Sequence, residues 1–80
     1  MNDVIIELDV HGMTAYQACV AVDAALRRAR GAYRLRVVHG YHGGTALRDA
    51  IRQRYAADAR VKRIELGLNQ GQTDLVLREF

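Results

Sequence analysis

Leu8-Asp9-Val10-His11-Gly12 ends one alternating apolar run, and Val37-Val38-His39-Gly40 ends a second. The repetition governs the reading of the chain. If the two runs are parallel strands of one sheet, both His-Gly dipeptides emerge at the same edge, where open α/β sheets place their ligand sites. Across residues 4–11, Ile6, Leu8 and Val10 fall on one strand face and Ile5, Glu7, Asp9 and His11 on the other. Asp9 and His11 therefore point the same way. After the second dipeptide, Tyr41 and then His42-Gly43-Gly44-Thr45 lead into a helical pattern. That glycine-rich turn directs backbone N–H groups toward the same edge.

Thr14 followed by Gln17 is a capping-box pattern, and Ala15, Ala18, Cys19, Val22, Leu26 and Ala29 trace an apolar helical stripe that Gly31 ends at the C′ position. Residues 34–39 read as a second strand, with Leu35 and Val37 on one face and Arg34, Arg36 and Val38 on the other. Thr45 is placed to cap a second helix with the stripe Leu47, Ala50, Ile51 and Tyr55, which leaves Arg48 and Arg52 on its outer surface. Residues 61–68 and 73–80 read as two further strands with Ile64, Leu66, Leu75 and Leu77 inward. The link Asn69-Gln70-Gly71-Gln72 suggests a hairpin. The order is βαβαββ, and right-handed crossovers running in one direction put both helices on one face. The expected fold is an α+β two-layer sandwich with a four-stranded mixed sheet. Its open face carries Glu7, Asp9, His11, Arg34, Arg36, Arg63, Glu65 and Arg78.

Eighty residues, half of them hydrophobic, fit one small domain over residues 1–80 and do not read as disordered. The single Cys19 has no internal disulfide partner, and the start Met1-Asn2-Asp3 lacks the pattern of a signal peptide. No apolar run approaches the length of a membrane span, so a cytoplasmic location is expected. Eleven of the twelve basic residues are Arg, with a net charge of +3. The planar arginine fork pairs phosphate oxygens bidentately, which favours a phosphate-bearing partner.

These residues resemble the Smr (small MutS-related) domain family. Leu8-Asp9-Val10-His11-Gly12-Met13-Thr14 is similar to its LDxHG signature. Val38-His39-Gly40 with the following glycines and Ala46-Leu47-Arg48 is similar to its HGxGxG signature and the helix that begins AL[RK]. Thr73-Asp74-Leu75-Val76-Leu77 is similar to its final strand. Two motifs in order, with a helix between them, make a far more specific signal than either alone. The resemblance implies a stand-alone small member with a fold like the C-terminal domain of translation initiation factor three. It also implies endonucleolytic or nicking activity on RNA or DNA, in settings such as stalled ribosomes or recombination. One departure concerns phosphate approach: Tyr41 stands where lysine is frequent, His42 follows, and one extra residue precedes Ala46.

Asp-x-His on one strand face sets a carboxylate beside an imidazole, which orients the ring for proton transfer near neutrality. RNA cleavage needs a base for the 2′-hydroxyl, an acid for the leaving 5′-oxygen and donors for the phosphorane charge. Asp9 and His11 are the candidate catalytic pair. His39, Gly40, Tyr41, His42, Gly43, Gly44, Thr45 and Arg48 are the candidate phosphate and nucleic-acid contacts. Each has a plainer reading. Asp9 and His11 serve equally to fix the turn at Gly12 through local hydrogen bonds. His39 is suited to a structural role beside Val37, Tyr41 stacks on a base or covers the loop, and the glycines supply positive φ for a tight turn. Arg34, Arg36 and Arg63 read as a phosphate track or as a face neutralised by Glu7, Glu65 and Asp74. Three rival functions stay open: a non-catalytic RNA- or DNA-binding module, a domain docking on a ribosome or repair complex, and a divalent-metal site from Asp9, His11, His39 and His42. The catalytic reading needs no cofactor.

Overall fold

The computed structural model describes residues 4–29, 31–40, 45–66 and 70–78. Its elements run β1 (Val4–Asp9), α1 (Ala15–Arg28), β2 (Ala32–Val38), α2 (Ala46–Tyr55), β3 (Arg63–Leu66) and β4 (Gln72–Val76). The sheet order is β1-β2-β4-β3, with β1 and β2 parallel and β4 antiparallel to both its neighbours. This is the α+β two-layer sandwich that the sequence predicts. Among the described residues no helix is long and apolar enough to cross a membrane.

Period-two alternation becomes continuous rows across the strands. Ile6, Leu35, Leu75 and Ile64 pair in register, as do Leu8, Val37, Thr73 and Leu66. The first row, with Val10, Leu8 and Val37, meets Ala18, Val22, Ala25 and Leu26 of α1 and Ile51 and Tyr55 of α2 in one core. The capping box at the start of α1 is present in both directions: Gln17 N donates to Thr14 Oγ1 and Thr14 N to Gln17 Oε1. The Tyr55 hydroxyl reaches Asp23 Oδ1 at 2.7 Å and Cys19 O at 3.0 Å, tying the two helices together.

The structure corrects several local expectations. The first strand stops at Asp9, because His11 and Gly12 already form a turn with Gly12 at φ +79. The last two strands are shorter than 61–68 and 73–80, since Leu77 and Arg78 leave the β3 pairing and donate to Tyr33 O. Gly31 has the expected positive φ but lies one residue beyond C′, as the C-cap is Ala29. Ala15 is exposed and Ala25 takes its place in the core, because the buried arc of α1 is rotated toward α2. Leu66 shares the helix-facing side but is 73% exposed, since edge strand β3 extends past the cover of α2. Residues 67–69 and 79–80 of the expected strands and hairpin lie outside the described residues.

On the open face the second rank of side chains is Glu7, Arg36, Asp74 and Glu65, one from each strand. Asp74 is 1% exposed and accepts from Arg34 Nη1 at 2.7 Å, Arg36 Nε at 3.1 Å and Arg36 Nη2 at 3.2 Å. Arg34 Nη2 continues to Glu65 at 2.8 Å, and Arg63 pairs with the same carboxylate. The neutralised-face reading therefore holds, and the open phosphate track does not. Burial pushes the Asp74 carboxyl up, but the hydrogen bonds from Arg36 and Arg34 win and hold it below its ordinary value. Its contribution to stability is thus present above about pH 3.8 and is lost as pH falls through the lower folded value. Asp74→Asn is expected to lower the unfolding free energy by about 2–3 kcal/mol at neutral pH, since it leaves two half-buried guanidinium groups under-paired. Urea titrations across pH check this: the deficit should narrow only below about pH 3.8.

Candidate active site

Parallel pairing of β1 with β2 places Asp9 opposite Val38, so the chain leaves both strands at one rim of the sheet. Val10 N donates to Val38 O at 2.9 Å, extending the ladder by one bond past the last strand residue. Gly40 then comes against His11: a Cβ built on Gly40 would stand 3.5 Å from the His11 Cβ. That is ordinary contact. What requires glycine at position 40 is its φ of +77, a conformation costly for residues with a side chain. The two His-Gly segments, far apart in sequence, are therefore neighbours.

Asp9 Oδ1 accepts twice, from His11 N at 3.0 Å and from His11 Nδ1 at 2.5 Å. The first bond closes an Asx-type turn and the second orients the imidazole, both through one oxygen. These two bonds, side chain first, hold the Asp9 carboxyl below its ordinary value. An ionised carboxylate only accepts, so Nδ1 carries the hydrogen and Nε2 of the neutral ring presents its lone pair outward. The His11 side chain is 70% exposed and that of Asp9 57%, which leaves Nε2 open to a ligand.

His39 points the other way, into the layer between sheet and α2, and is 5% exposed. Its Nδ1 lies 2.9 Å from Gly40 O and its Nε2 2.8 Å from Thr73 Oγ1. The carbonyl only accepts, so Nδ1 is the donor there and the Thr73 hydroxyl donates to Nε2. Thr73 Oγ1 in turn accepts from Arg52 Nε at 2.9 Å. A directed chain thus runs from Arg52 through Thr73 and His39 to the Gly40 carbonyl. His39 N and Gly40 N also both donate to Gly71 O, at 2.9 and 3.0 Å, and clamp the turn to the start of β4. His39 holds the Gly40 turn rather than facing solvent, and its ring offers no free nitrogen to a metal. Among the described residues no three His, Cys, Asp or Glu side chains are grouped to hold a metal ion.

Arg52 and Thr73 join the hydrogen-bond network behind the Gly40 turn, which sequence reasoning missed. Helical spacing put Arg52 beside Arg48 on the outer surface, yet it turns inward to the sheet. Burial lowers its guanidinium from the ordinary value. No carboxylate among the described residues pairs with it, unlike Arg34, Arg36, Arg54, Arg60 and Arg63. Thr45 stands at the N-cap of α2 as expected, but its hydroxyl donates to Asp49 Oδ2 at 3.0 Å and accepts no helix N–H. Arg48 Nε pairs with Asp49 Oδ1 at 3.0 Å, so the first turn of α2 already holds a carboxylate of its own. Tyr41, His42, Gly43 and Gly44 lie outside the described residues.

Comparison with known proteins bears on the family and the fold. The family model described as Smr domain matches residues 8–74. Over 58 residues, 70% of its length, the chain is 45% identical to a protein of Thermus thermophilus named Endonuclease MutS2, of which it spans only 8%. The crystal structure of the Smr domain of Thermus thermophilus MutS2 superposes with a TM-score of 0.84 at 38% identity, covering 92% of this chain and 99% of that one.

The pairing at Asp9 has a direct readout. Carboxyl-detected NMR should place the Asp9 titration below 3.8, and His11→Ala, which removes its larger hydrogen bond, should move the midpoint upward.

Proposed function

This chain belongs to the Smr domain family, and we propose that it is an endonuclease that cleaves RNA without a metal at the rim formed by Asp9, His11 and the Gly40 turn. The observation that carries the reading is the exposed His11 ring, held through Nδ1 by an ionised carboxylate with Nε2 turned outward. In this reading Nε2 takes the proton of a 2′-hydroxyl, whose oxygen attacks the adjacent phosphorus. The bond to the 5′-oxygen breaks, and the His11 imidazolium, stabilised by Asp9, returns its proton to that leaving oxygen. The products are a 2′,3′-cyclic phosphate and a 5′-hydroxyl. Charge on the phosphorane is met by amide donors of Gly43 and Gly44, with Thr45 and Arg48 at the head of α2 and Arg52 one turn further on. Tyr41 and His42 are further strand contacts in this reading. DNA has no internal nucleophile, so DNA nicking by the same residues is a separate and weaker extension of this route. A reducing, cytoplasmic setting suits the unpaired Cys19, and RNA, free or on a ribosome, is the partner class.

A second reading is favoured by Asp49. Its carboxylate takes hydrogen bonds from Thr45 and Arg48 at the N-terminus of α2, where a phosphate would otherwise bind. A module that grips nucleic acid, or a repair complex, without chemistry would tolerate that competition.

Incubation with single-stranded and structured RNA in EDTA separates the two. Wild type is expected to cut and to leave 2′,3′-cyclic phosphate ends, whereas an Asp9→Ala, His11→Ala double variant binds but does not cut. Ends bearing a 3′-hydroxyl would replace this route with a metal-activated water. Arg52→Gln is expected to weaken RNA binding about tenfold, the worth of one charge-assisted hydrogen bond, with a shallower salt dependence than wild type. Binding titrations at two salt concentrations measure both effects.

A further inference from the structure

Met13 and Thr14 lead from Gly12 into α1, and Met13 with the outer face of the first turns is apolar where solvent-facing helix positions are normally polar. Met13, Tyr16 and Val20 are all exposed, with Tyr16 at 79%. Together with Gln17 they line an open groove of about 490 Å³. Among the described residues neither the Tyr16 ring nor its hydroxyl meets a partner. Gln17 uses its side-chain oxygen to accept from Thr14 N, which leaves both hydrogens of its amide nitrogen free to donate.

We propose that this groove is a subsite for one unpaired nucleobase of the strand whose phosphodiester lies at His11; the inference rests on the nucleic-acid reading above and adds the substrate class. Three observations select this occupant. Position is the first: Met13 is two residues from His11, so their Cα atoms are within about 7.6 Å, which sets one wall of the groove beside the segment that carries the imidazole. Chemistry is the second. A flat aromatic face flanked by a thioether and a branched aliphatic matches a base ring, and the Gln17 amide matches the carbonyl oxygens and ring nitrogens at base edges. Size is the third. The groove of about 490 Å³ lined by these four residues is of a size for one base. Stacking on Tyr16 requires a base face free of its neighbours, so the site selects single-stranded over duplex substrate.

The test uses a short single-stranded RNA carrying 2-aminopurine, whose fluorescence falls when it stacks on an aromatic ring. Wild type and Tyr16→Phe are expected to quench the probe. Tyr16→Ala, at an exposed position that leaves circular dichroism and melting unchanged, is expected to lose the quenching and to bind about tenfold more weakly. The same probe annealed into a duplex should not be quenched. His11→Ala, which leaves the groove intact, should still quench. Tyr16→Ala binding and quenching like wild type overturns the subsite, as does a wild type that binds the strand without quenching. Loss of self-association in Tyr16→Ala, read by sedimentation, with unchanged RNA binding overturns it in favour of a contact between copies. The two readings fail separately: Tyr16-dependent quenching without any cleavage removes only the catalytic mechanism, and cleavage with Tyr16-independent quenching removes only the subsite.

Discussion

The in-register parallel pairing of β1 with β2 is the constraint from which the rest of the molecule follows. Parallel neighbours cannot be joined by a tight turn, so a crossover element is obligatory, and α1 supplies it on the face that the right-handed connection allows. The same pairing makes both strands end at one rim, where Asp9 stands opposite Val38 and His11 meets Gly40. β4 then runs antiparallel beside β2 and brings Gly71 to that rim, where one carbonyl receives the N–H groups of His39 and Gly40. The turn is held by backbone bonds from three strands before any side chain contributes.

Charge is distributed less simply than a net +3 suggests. The arginines of the open face spend their hydrogen bonds on Asp74 and Glu65, in an arrangement that stabilises the sheet and leaves little free positive potential there. Arg52 is the contrast: a half-buried cation directed at the sheet through Thr73, with a lowered guanidinium and no paired carboxylate among the described residues.

Asp9 shows how one carboxylate closes a turn and orients a neighbouring ring at once. Its Oδ1 closes the turn after β1 through His11 N and fixes the ring of His11 through Nδ1. The turn carries the imidazole to the rim, and the same carboxylate sets which nitrogen faces outward. Mutating Asp9 therefore disturbs the turn and the orientation of the His11 ring together.

Local patterns determined much of this. Alternation in β1 and β2 marked which residues face the helices, Thr14 and Gln17 marked the start of α1 through a cap closed within four residues, and the positive-φ glycines Gly12, Gly31 and Gly40 marked the turns. The closeness of Asp9 and His11 was legible for the same reason, since two positions along the chain suffice to bring them together. Only the tertiary structure decided that Arg52 turns inward to Thr73, that His39 is buried against Thr73, that Asp74 is buried beneath Arg34 and Arg36, and that Leu66 is left exposed. Those outcomes depend on partners 21 to 40 residues away, or on how far α2 reaches over the sheet. A helical or strand period assigns a side chain to a face of its own element, and what that face meets is settled only when the layers pack.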